Sequence, residues 1–278
     1  MAEHRFSQVD VFSSEPFRGN PVAVVHDADG VDSATMAAFA RWTNLSETTF
    51  LLAPQEAGAD YRLRIFTPGG ELPFAGHPTL GSARAWLEAG GAPRGAGAVV
   101  QECGIGLVRV RVDGGALAFA APALLRSGPL DAALRERVAR ALGLEAGAVV
   151  DAAWVDNGPG WIGVLLPDAE TVLGLRPDLA ALGELPVGVI GPHAPGGPAD
   201  YEVRAFVPGI GVPEDPVTGS VNAGLARWLI GAGLAPSSYT VAQGTALGRS
   251  GRVGIRSVDG EIWVGGQART LVTGAVDI

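Results

Sequence analysis

The chain contains no lysine: all twenty cationic side chains among its 278 residues are arginine. That absence removes the amine needed for a Schiff base with a substrate carbonyl or with pyridoxal phosphate. Cysteine is equally scarce. Cys103 is the only one, so an intramolecular disulfide and a cysteine-rich zinc site are both excluded. Its surroundings, VVQECGIGLVRVRV, alternate like a strand, and a packed thiol is expected there rather than a nucleophile. Aromatic residues make up 6%, no basic block occurs, and the formal charge is −9, which argues against a nucleic-acid partner. No apolar run reaches the roughly 18–20 residues that span a bilayer. The start, MAEHRFSQVDVF, shows neither a basic region nor an apolar signal stretch. A soluble cytoplasmic protein with no membrane partner is expected.

What the chain has is internal repetition. RIFTPGGELP (64–73) returns as RAFVPGIGVP (204–213), with Arg64/Arg204, Phe66/Phe206, Pro68/Pro208, Gly69/Gly209 and Pro73/Pro213 in one register. NPVAVV (20–25) parallels GWIGVLL (160–166) in that same register, and Trp86-Leu87 matches Trp228-Leu229 two positions beyond it. Because the offset is about half the chain length, these matches point to duplication of one architectural unit.

Each half carries short β-rich runs separated by Gly, Pro and Asp turns, with VRVRVDGGALAF as a hairpin turning at DGG. Helices are predicted over 32–43, capped by Asp32 or Ser33, over 78–91 with Pro in its first turn, and over 218–233. A fourth, amphipathic helix over 130–143 reads as a surface connector between the halves. The helices at 78–91 and 218–233 are repeat partners, rich in Ala and Gly with few charges, and a helix apolar on most sides is buried. Two sheets, each wrapped about its own central helix, follow, with the Pro- and Gly-rich stretch 121–133 as the crossing.

Both central helices open with small residues, AGHPTLGS and DPVTGSVN. Helix starts present unpaired N–H groups and a positive dipole end, which suit a carboxylate. Simple capping, with Thr218 as the cap, serves for either helix alone. Related helices with His77 and Asp215 at matching starts favour a site for a small anionic molecule, with Gly76, Gly219 and Ser220 permitting its close approach. His77, between Gly and Pro, is better placed as a polar tip near a pocket than as a core histidine. Carboxylates and an imidazole together can move protons with no cofactor or metal.

GNPVAVV (19–25), NLSETTFL (44–51), RIFTPGGELPFAGHPTLGSA (64–83), EDPVTGSVNAGLARWL (214–229) and QGTALGRSGRV (243–253) resemble, in order, the motifs of the PhzF-like phenazine-biosynthesis family. That family belongs to the diaminopimelate epimerase superfamily. The resemblance implies an α+β fold of two pseudo-symmetric domains, each a curled, largely antiparallel sheet around a central helix. The domains are expected at 1–120, joined by a last strand over 266–278, and at 121–265, with the active site in the cleft between them. It also implies cofactor-independent isomerase chemistry and a homodimer.

Superfamily epimerases use two thiols at the central helix starts. Ala75 and Asp215 fall there instead, so two-thiol racemisation is ruled out. By the same resemblance, Glu47 of the Ser-Glu-Thr motif is the general acid/base. His77, Asp215 and Ser220, with Gly76, Thr218 and Gly219, are substrate-binding. In the family reaction, trans-2,3-dihydro-3-hydroxyanthranilate isomerises as a glutamate moves a proton from C3 to C1. Asn222 departs from the family pattern, where smaller residues are usual, and is expected to bring a polar amide near the substrate. A non-thiol epimerase or lyase, and a non-catalytic small-molecule binder on the same fold, are the alternative readings.

Overall fold

The computed structural model describes residues 2–113, 115–210 and 212–278; Gly114, in the expected DGG turn, lies outside the described residues. The chain divides into two compact units, one of residues 1–120 and 265–278, the other of 121–264. No helix is long and apolar enough to cross a membrane among the described residues.

In unit 1, β1 (Glu3–Val11) and β2 (Asn20–Val25) form an antiparallel pair, and α1 (Ser33–Thr43) crosses over to β3 (Glu47–Leu52), parallel to β2. Asp32 caps α1 by accepting from the Thr35 N–H at 2.8 Å, and Asn44 ends it in the left-handed conformation that asparagine tolerates. Next come β4 (Tyr61–Thr67) and β5 (Gly70–Leu72), both antiparallel to their predecessors. Helix α2 (Gly76–Glu88) then leads to β6 (Ala98–Cys103), parallel to β4, and on to β7 (Gly106–Asp113) and β8 (Ala116–Ala120).

Unit 2 opens with β9 (Arg126–Pro129) and α3 (Ala132–Ala141), then repeats the plan. Strands β10 (Asp151–Asp156) and β11 (Ile162–Leu165) are antiparallel; short helices α4 (Ala169–Gly174) and α5 (Leu179–Leu182) cross to β12 (Val187–Pro192), parallel to β11. Strands β13 (Tyr201–Val207) and β14 (Val212–Asp215) precede α6 (Gly219–Gly231), after which β15 (Ser238–Gln243) runs parallel to β13. The chain finishes with β16 (Gly251–Val258) and the 17-residue β17 (Glu261–Asp277), whose later part pairs with β1 in unit 1.

The repeated Arg-x-Phe has a structural explanation. Arg64 holds both oxygens of Glu71 (2.7 and 2.6 Å) and lies 5.0 Å from the Phe66 ring; Arg204 does the same with Glu214 (2.9 and 2.7 Å) and Phe206 (4.9 Å). Each clamp ties its strand to the short one beside it by a bidentate pair and a cation–π contact.

Helix α2 touches β1, β2, β3, β4, β6, β7 and β8, and nine of its thirteen residues are buried, so the sheet of unit 1 curls around it. Gly81 allows that approach, since a Cβ there would collide with Val22 on β2. Helix α6 is likewise central, packed on β10, β11, β12 and β16. The 130–143 helix, read as a connector, belongs instead to unit 2: Val138, Ala139 and Ala141 of α3 are part of its hydrophobic core.

Candidate active site

Glu47 is the first residue of β3, set opposite Val22 of β2. The strand behind it is firmly held. Thr49 donates to the Ala23 carbonyl at 3.1 Å, and its hydroxyl lies 2.9 Å from that of Ser82 on α2. Glu47 keeps 12% of its side-chain surface exposed, and its Oε2 is 3.3 Å from Nε2 of His77.

His77 lies in the first turn of α2 and is buried, although its place between Gly and Pro reads as a poor one for a core histidine. Burial pushes its imidazole down to about 3, against a weaker opposing pull from the Pro21 backbone. The ring is therefore neutral at ordinary pH, and its contact with Glu47 is a polar one rather than an ion pair. Asn20, fully buried at the start of β2, places its Nδ2 at 3.4 Å from the other ring nitrogen, Nδ1. Asp10 fixes the approach to Asn20 by accepting from the N–H groups of Arg18 (3.1 Å) and Gly19 (3.2 Å). Gly19 is obligatory there, because a Cβ would strike the Val11 carbonyl.

Helix α2 starts at Ala75 with no side-chain cap, and α6 starts at Thr218 with none either. The expected Thr218 cap is not made. Its hydroxyl donates instead to Asp215 Oδ2 at 2.5 Å, while its backbone N–H donates to Gln243 Oε1 at 3.0 Å. Asp215, at the end of β14, and Thr218 are both buried.

Ser220, on the first turn of α6, is held from both ends. Trp161 Nε1 donates to its hydroxyl at 3.0 Å, and Asn157 Nδ2 donates to its carbonyl at 2.8 Å. An indole N–H can only donate. The Ser220 oxygen is thus an acceptor toward Trp161, and its own proton is left to donate elsewhere. The Asn222 amide, expected beside a substrate, donates to the Thr218 carbonyl and to Gln243 Oε1, both at 2.8 Å.

Gly76 and Gly219, the first residues of α2 and α6, are both buried. In unit 1, then, Glu47, His77 and Gly76 come together; in unit 2, Asp215, Thr218, Gly219 and Ser220 do. Asn20, Trp161 and Gln243 carry second contacts to these residues and were not singled out by the sequence reading. Asn20 and Gln243 stand inside motifs that it quoted, GNPVAVV and QGTALGRSGRV, so the signal was present; Trp161 had only its place in the weak GWIGVLL match.

The two units differ where the chemistry sits. Val22 opposes Glu47 across β2 and β3, and their counterparts in the Arg-x-Phe register, Ile162 and Val187, oppose each other across β11 and β12. One copy presents a carboxyl at that position and the other a fully buried valine. Among the described residues no three His, Cys, Asp or Glu side chains gather as metal ligands. Cys103 is partly buried at the end of β6, and burial pushes its thiol up, which disfavours the thiolate. A cavity of about 750 Å³ beside α1, lined by Asp29, Asp32, Trp42 and Ile278 among others, contains none of the site residues.

The fold agrees with what is found among known proteins. "Antisense-enhancing sequence 1" of Schizosaccharomyces pombe is 39% identical over 99% of each chain. Trans-2,3-dihydro-3-hydroxyanthranilate isomerase of Pseudomonas aeruginosa is 37% identical over 91% of this chain and 90% of its own. The crystal structure of a PhzF-family phenazine biosynthesis protein from Enterococcus faecalis superposes with a TM-score of 0.82 at 26% identity, each chain fully covered. The model of the PhzC-PhzF family, described as phenazine biosynthesis-like protein, matches residues 9–275. With a diaminopimelate epimerase-like fold and a match along nearly its whole length, the chain belongs to the PhzF family, which includes named isomerases.

Proposed function

We propose that this PhzF-family isomerase moves a proton within a small cyclic amino- or hydroxy-acid, with Glu47 as the group that takes the proton and returns it. The observation that carries the reading is the Glu47–His77 contact at 3.3 Å, at the start of a central helix with no side-chain cap. A neutral imidazole beside the carboxyl neither locks it into an ion pair nor competes with it for a proton, so the carboxyl can serve as base and then as acid.

In the proposed reaction Glu47 removes the proton from C3 of a substrate resembling trans-2,3-dihydro-3-hydroxyanthranilate and delivers it to C1 on the same face. Ser220, through the proton that Trp161 leaves to it, and the N–H groups of Gly76 and Gly219 hold the carboxylate. Asp215, with Thr218 fixing one of its oxygens, and His77 take the amino or hydroxyl end. No cofactor is required by this scheme. The proposal extends to a homodimer in the cytoplasm, the first part of which light scattering of the purified chain tests.

The experiment is Glu47→Gln, which keeps the volume and removes the basic oxygen. Turnover of trans-2,3-dihydro-3-hydroxyanthranilate, or of another cyclic amino acid that the wild type converts, should fall by roughly 10²–10⁴-fold while the substrate still binds. Retained turnover would place the base elsewhere. An epimerase using the same residues is separated by turnover in D2O: a same-face shift keeps part of the original proton, whereas inversion through a second acid brings in solvent deuterium.

A further inference from the structure

The hydrogen bonds around Asp215 have a direction that can be read without ambiguity. The Thr218 backbone N–H can only donate, so the Gln243 atom that receives it at 3.0 Å is the amide oxygen. The Thr218 carbonyl can only accept, so the Asn222 atom 2.8 Å from it is the amide nitrogen, and this nitrogen donates also to Gln243 Oε1 at 2.8 Å. Both amides are therefore fixed by their partners. Gln243 Nε2 then donates to the Asp215 carbonyl (3.2 Å) and to the Thr218 hydroxyl oxygen (2.9 Å). A threonine hydroxyl has one proton. The Thr218 hydroxyl, which accepts from Gln243, donates that proton to Asp215 Oδ2, 2.5 Å away, a separation in the range of an O–H donor and a charged acceptor.

We infer that Asn222 is a positioning residue that acts through Gln243 and Thr218 to hold the Asp215 side chain in one orientation as an ionised acceptor. Each donor in the series is polarised by the one before it, which strengthens the last bond. Gln243 and Asn222 are 0% and 1% exposed, and burying amides costs free energy unless every strong bond is made. In unit 1 Gln101, which stands to Gln243 as Trp86 stands to Trp228, donates to the Thr79 hydroxyl at 3.0 Å and accepts from the Tyr61 hydroxyl at 3.1 Å, so a strand tyrosine there takes the place that the Asn222 amide has in unit 2. Leu80, which stands to Trp86 as Asn222 stands to Trp228, is fully buried and apolar, so the helix position itself requires no amide. The charged groups on the adjoining strands include Glu214, which is clamped by Arg204 of β13, Glu202, also on β13 and bonded to His193, and Arg252 on β16, while Arg249 has its stem near Gly244 beside the Pro216 carbonyl.

The meaning of this for turnover rests on the proposed role of Asp215, but the test does not use turnover. The full-length chain is labelled with ¹³C at aspartate carboxyls and titrated, and the Asp215 resonance is identified by its loss in Asp215→Asn. In Asn222→Ala the Asp215 midpoint should rise by about half a unit or more, because a hydrogen bond to the charged form has been weakened. Thr218→Val should raise it further, and Thr218→Ser, which keeps the hydroxyl, should leave it near the wild-type value. An unchanged midpoint in a folded Asn222→Ala overturns the inference and reduces the residue to packing. Asn222→Ser is the second variant, and failure of both to fold also counts against it, since the amide would then support the helix rather than the carboxyl. Failure of the isomerase reading shows separately, as turnover retained by Glu47→Gln.

Discussion

Burial of a neutral histidine makes stability depend on pH in a way that can be worked out in advance. The His77 imidazole has a folded-state value of about 3 against 6.5 in a model side chain. Above pH 6.5 neither state binds the proton, and the residue adds no pH dependence. Below that, the unfolded chain takes up a proton that the folded chain refuses until about pH 3, so stability is lost as pH falls across this window. At pH 5 the loss from His77 alone is about 2 kcal/mol, and it reaches about 4 kcal/mol at pH 3. That is a large part of a stability of roughly 5–15 kcal/mol. The assay is urea unfolding at pH 7 and pH 5, in wild type and in His77→Gln, which is polar and does not titrate. The buried His26, whose value burial also lowers, and the carboxylates away from His77 are common to both proteins and cancel in the comparison; Glu47, in contact with His77, is removed from it by making both proteins in a Glu47→Gln background. The protein that keeps His77 should lose about 2 kcal/mol more than the variant between the two pH values. Equal losses, to within about 0.5 kcal/mol, would refute the claim that His77 is held neutral by burial.

Three further outcomes are expected. Trp161→Phe removes the indole donor that orients the Ser220 hydroxyl, and steady-state kinetics should show KM raised by roughly 2- to 10-fold with kcat little changed. Arg204→Leu leaves the nearly buried Glu214 without its clamp and should cost about 3–5 kcal/mol, whereas Arg64→Leu, whose partner Glu71 is 42% exposed, should cost about 1 kcal/mol or less by the same urea assay. Gly224→Ala drives a Cβ into the Val155 carbonyl and should destabilise by about 1–3 kcal/mol, while Gly231→Ala, with nothing nearby, should be neutral within about 1 kcal/mol.

The repeat was legible in the sequence because its most regular residues, Arg-x-Phe and the small residues opening each central helix, are fixed by geometry: a clamp in one case, close packing in the other. Helix boundaries shifted for local reasons. The 78–91 helix begins at Gly76 and stops at Glu88, and Gly90 beyond it takes a positive φ of 97°. Helices α4 and α5, at six and four residues, are too short to show a period; only their caps, Asp168 and Asp178, marked them. Strand β9, RSGP, has no apolar alternation and pairs at an exposed position. At the site, nothing local distinguishes Glu47 from an ordinary strand entrance. Its partner His77 is far from it in sequence, so the pair shows only once the parallel strands β2 and β3 and the helix are assembled. The partners of the Asn222 amide are hidden for a related reason: helical spacing gives its position along α6, but its bond to Gln243 comes from β15.

Strand β17 begins in the second unit and ends against β1, pairing Glu3 with Asp277. Unit 1, although most of it leaves the ribosome first, therefore lacks a strand until residues 265–277 have emerged. Its assembly must wait for all of unit 2 to be made, and until then one side of β1 is an open edge that another chain could occupy. Cutting the chain after Arg269 would thus injure the first strand of the protein, far from the cut in sequence.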